Sequence, residues 1–67
     1  MLYYVNQGLT IHYYKELKSV DNNKIDILMK DYKIVLLGDN LLVDYFEKDE
    51  LHIKGIIKEI KFDYDDK

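Results

Sequence analysis

With 67 residues the chain has room for one small domain and one core, and without cysteine it has no disulfide framework or thiolate metal site to brace that core. Ten lysines, no arginine and thirteen acidic residues leave a net charge of −3, which speaks against a basic nucleic-acid-binding face. No stretch reaches the roughly 18 apolar residues of a membrane span, and Met1-Leu2-Tyr3-Tyr4 lacks the basic start of a secretory signal, so neither membrane insertion nor export is expected.

Leu2–Val5 forms a short apolar strand closed by the turn residues Asn6-Gln7-Gly8. Leu9–Tyr14 alternates, with Leu9, Ile11 and Tyr13 on one face and Thr10, His12 and Tyr14 on the other. Lys15-Glu16 bends the chain into Leu17–Val20, whose broken alternation suggests a bulge. Asp21-Asn22-Asn23 is a turn, because Asn and Asp tolerate left-handed backbone. Lys24–Lys30 then sets Ile25, Ile27 and Met29 on one face, and Asp31-Tyr32 reverses the chain.

From Lys33 to Phe62 apolar residues recur at every second position, reading as three strands joined by tight turns at Gly38-Asp39-Asn40 and Lys48-Asp49-Glu50. The run Ile34–Leu37 suggests a strand covered on both faces, and Leu41–Phe46 is also apolar on both. After Gly55 the apolar set becomes Ile56, Ile60 and Phe62, on the opposite parity from Leu51 and Ile53, as a bulge at Gly55 would produce. The rival reading of 53–62 is a short helix, since Ile53, Ile56, Ile57 and Ile60 also fit i, i+3, i+4, i+7. Four β-branched isoleucines, and about 1 kcal/mol lost at Gly55, favour the bent strand. Asp63–Lys67 is a charged tail.

The expectation is a single all-β domain over 1–67, a twisted and mostly antiparallel meander of six to seven strands, partly closed. Chemistry is hard to place in it. His12 and His52 could pair with Asp44 or Asp26 as a zinc or acid–base site, but they stand far apart without a ligand motif, and surface histidines are the plainer reading. Ser19 and Thr10, the lone Ser and Thr, lie outside any nucleophile elbow, and Gly8, Gly38 and Gly55 are too scattered to cradle a phosphate. No catalytic, cofactor-binding or metal residue is therefore assigned, and no cofactor. Gly38, Asp39, Asn40 and Gly55 are assigned to turns and a bulge. In a strand, neighbours point to opposite faces, so each of the pairs Tyr3-Tyr4 and Tyr13-Tyr14 sends one ring outward as a candidate interaction surface. Open strand edges and these rings suggest a homodimer.

Residues 24–62 resemble the YabP/YqfC family of small sporulation proteins of endospore-forming Firmicutes. The resemblance lies in Ile25–Met29, Ile34-Val35-Leu36-Leu37, Gly38-Asp39-Asn40-Leu41, Asp49 through Gly55, then Ile57 through Ile60 and Phe62. It implies a non-enzymatic β domain made in the mother cell, cytoplasmic or peripheral to the forespore outer membrane, that associates with a membrane protein of the sporulation programme. An alternative from a different class is a small acidic inhibitor from a mobile element that occupies a basic cleft.

Overall fold

The computed structural model describes residues 2–5 and 8–64, which contain six strands and no helix. They are β1 (Leu2–Val5), β2 (Gly8–His12), β3 (Glu16–Val20), β4 (Lys24–Leu28), β5 (Lys33–Glu47) and β6 (Glu50–Asp63). All pairings are antiparallel, in a single sheet of order β1-β2-β6-β5-β4-β3. The sheet is open: β1 and β3 are its edges.

The long β5–β6 hairpin organises everything else. Its open end, 33–37 with 59–63, carries β4 and β3, while its distal end, 42–47 with 50–54, carries β2 and β1. Leu9, Ile11, Leu51 and Ile53 from the distal half and Ile25, Ile27, Ile34 and Leu36 from the other are all fully buried, in one cluster with Met29 and Leu41. A flat single sheet cannot bury one face this way. The two halves therefore fold toward each other across the middle of the hairpin, and the radius of gyration is 10.8 Å. That matches the roughly 11 Å expected of a compact chain of this length. Folding over, not pairing of the edges, encloses the core.

The fold-over takes place where a turn was expected. Gly38-Asp39-Asn40 does not end a strand; β5 runs through it, so the expected pair of strands is one. Asn40 (φ 53°) and Leu41 together oppose the single Gly55 (φ 118°), and this bulge shifts the buried set of β5 from Ile34 and Leu36 to Leu41. Both glycines are required by close approach. A Cβ at Gly38 would fall on the carbonyl oxygen of Ile56, and one at Gly55 on that of Asn40. The Asn22–Asn23 turn closes against this bend, taking N–H groups from Leu41 (2.8 Å) and Gly38 (3.0 Å) onto its carbonyls.

Of the remaining expectations two hold and two change. Residues 53–62 are strand throughout, which rules out the helix. The parity change in β6 falls at Lys58, skipped between the pairs Gly38↔Ile57 and Leu37↔Glu59, so Ile57 packs on the core and Ile56 is exposed. Neither half of β5 is covered on both faces: Val35 and Leu37 are half-buried, and Leu42 is exposed. The bulge expected in the third strand is present at Lys18, between the pairs Leu17↔Ile27 and Ser19↔Asp26.

Candidate functional site

Pairing of β2 with β6 puts His12 opposite Glu50 and Thr10 opposite His52. These positions alternate with the buried Ile11, Leu51 and Ile53, so their side chains share the outer face. Pairing of β6 with β5 sets Tyr45 opposite His52. The result is a strip across three strands. Tyr45 stacks on His52 at 4.5 Å between ring centroids, and His52 Nε2 lies 2.6 Å from Glu50 Oε2. A carboxylate can only accept, so His52 carries its proton on Nε2 and donates it. His12 Nε2 stands 3.8 Å from the other oxygen of Glu50, beyond hydrogen-bond range, and His12 meets Tyr13 edge-on at 5.9 Å.

An open cavity of about 270 Å³ adjoins the strip, lined among others by Thr10, Asp44, His52 and Lys54. Lys54 pairs with Asp44 at 3.3 Å. Among the described residues, no group of three or more His, Cys, Asp or Glu is placed to hold a metal ion. Asp26, weighed beside the histidines, belongs to the other half of the sheet, where it accepts from Ser19 Oγ at 2.9 Å.

No family model, curated protein or solved structure matches this chain.

The tyrosine pairs sort differently from their expected alternation. Tyr13 leaves β2 in the left-handed region (φ 62°), gives its N–H to Asp49 O at 2.8 Å, and is 73% exposed, not on the face of Leu9 and Ile11. Tyr14 is the half-buried member. It packs on the core, meets Phe46 at 6.0 Å and donates its hydroxyl to Glu47 O at 2.6 Å. Burial raises its phenol pKa above the ordinary value, with the carboxylates of Asp49 and Glu47 adding to the shift. Tyr4, opposite Leu9, is half exposed; Tyr3 pairs through its backbone with Thr10, and its side chain lies outside the described residues. Gly38, Asp39, Asn40 and Gly55 sit at the bend, with Asp39 bound to Lys58 at 3.0 Å.

His12, Glu50 and His52 were not assigned to a site from the sequence. The Glu50-Leu51-His52 spacing shows that two of them share a face. Their meeting with His12 depends on which strand lies beside β6, and local pattern does not carry that.

Proposed function

We propose that the chain is a non-enzymatic association domain of the YabP/YqfC type, docking a protein partner at the developing spore envelope. The observation that carries association is the set of rings at the distal end of the β5–β6 hairpin, where Tyr13, Tyr45 and Phe46 are 73%, 43% and 56% exposed. Aromatic side chains concentrate at protein interfaces because they bury much area with little rotamer entropy. Two open sheet edges offer a second mode, strand addition. Pairing of an edge with a second copy would complete between two chains the closure the sheet lacks within one, and a homodimer is part of this proposal.

The sporulation setting rests on the resemblance over 24–62. A fluorescent fusion followed through sporulation in the native host, with a deletion strain scored for heat-resistant spores, tests it. Signal gathering around the forespore and a loss of resistant spores are expected. Diffuse signal in growing cells with normal spores would overturn the setting. Association itself is tested by sedimentation of the purified chain, where a strict monomer across the concentration range would remove the homodimer. A second reading, the acidic inhibitor of a basic cleft, draws on Asp44, Glu47, Asp49 and Glu50 at the same end of the hairpin. It requires diffuse signal outside sporulation and binding that falls steeply with salt.

A further inference from the structure

The strip Tyr45–His52–Glu50–His12–Tyr13 ends in an exposed ring on each side and has a carboxylate at its middle. Around it the hairpin end supplies Glu47 and Asp49 against Lys48, while Asp44 and Lys54 neutralise each other in a pair at 3.3 Å. The chemistry of this surface selects among partners. A purely apolar partner would strip water from Glu50 and Asp49 and return no hydrogen bond. An acidic segment or a nucleic acid would meet like charge. A lysine or arginine side chain satisfies both components, because ring faces attract cations through their quadrupole and carboxylates pair with them directly. We infer that this strip is the docking surface for a basic, Lys/Arg-rich segment of another polypeptide. The inference rests on the association reading and gives its partner a chemistry.

The test uses the full chain and a labelled peptide alternating Arg and Gly, followed by fluorescence anisotropy, with a Glu-Gly peptide as the opposite-charge control. Binding of the Arg-Gly peptide alone is expected. Glu50→Gln should raise Kd about fivefold, the equivalent of about 1 kcal/mol for one partly exposed charge pair. Tyr13→Ser and Tyr45→Ser should each raise it about two- to fivefold through lost cation–π contact. Asp31→Asn makes an equal charge change in the exposed β4–β5 turn, at the opposite end of the hairpin, and should leave Kd unchanged. None of these positions belongs to the buried core, and far-UV circular dichroism checks that each variant keeps the sheet.

Failure of the Arg-Gly peptide to bind, equal binding of the Glu-Gly peptide, or equal weakening by Asp31→Asn and Glu50→Gln would each overturn the inference. Loss through the carboxylate variant with full retention in both tyrosine variants would do so as well, since the rings would then contribute nothing. Sedimentation on the same samples separates the two levels. A chain that self-associates but ignores the peptide keeps the association reading and loses this one.

Discussion

Gly38→Ala tests whether the bend in the long hairpin holds the two halves of the sheet together. An alanine Cβ there would land on the Ile56 carbonyl oxygen, 3.0 Å from its carbon and 3.1 Å from Ile57 Cα. All three atoms are backbone, so no side chain can swing aside; β5 and β6 must separate where the core turns its corner. Overpacking of this kind costs about 1–3 kcal/mol. Gly55→Ala adds a second term, because φ 118° is a conformation side chains rarely adopt, worth about 1–3 kcal/mol on top of its clash with Asn40 O. A domain of this size has about 3–10 kcal/mol in all. Gly38→Ala should therefore lower the urea midpoint by about 1–3 M, given a slope near 1 kcal/mol/M for a small domain. Gly55→Ala should leave little folded protein. Far-UV circular dichroism against urea reads both. Midpoints within about 0.5 M of the parent for both variants would refute the close approach at the bend.

Four further outcomes are expected. Ile34→Asp puts a charge at a fully buried position and should abolish the cooperative transition, which the same titration would show. His52→Ala breaks a partly exposed contact with Glu50 and the stack with Tyr45, and should change stability by about 1 kcal/mol or less in the same assay. Tyr14→Phe removes the bond to Glu47 O and should cost about 1 kcal/mol. Because the Tyr14 phenol is raised in the folded state, the unfolded chain gives up its proton first: stability holds below pH 10.0 and falls as pH climbs from there through the folded value. Thermal melts across that window should show a smaller fall in Tyr14→Phe. Asp26 Oδ1 is buried without a partner, so Asp26→Thr should raise the melting midpoint by the equivalent of about 1 kcal/mol, and a lowered midpoint would refute the reading of that oxygen as unsatisfied.

Alternation along the chain put seven of the ten core residues, Leu9, Ile11, Ile25, Ile27, Met29, Leu51 and Ile53, on the apolar face of their segments. Ile34, Leu36 and Leu41 lay in stretches read as apolar on both faces, and Met29 falls just past the end of β4. Period two is a local property of a half-buried strand, and it survives without knowledge of the neighbours. The Asp21–Asn23 and Asp31-Tyr32 reversals were legible for the same reason: Asp21 N bonds Lys24 O and Met29 N bonds Tyr32 O, each within a few residues. Two matters were settled only in three dimensions. Gly38-Asp39-Asn40 suits a tight turn and a bulge equally, since both use permissive backbone; β6 lying along the whole of β5 makes it a bulge. His12 and His52 meet through Glu50 because β2, not β4, pairs with the first half of β6. Strand order is set by how the folded halves share one core, and residues forty positions apart carry no local trace of it.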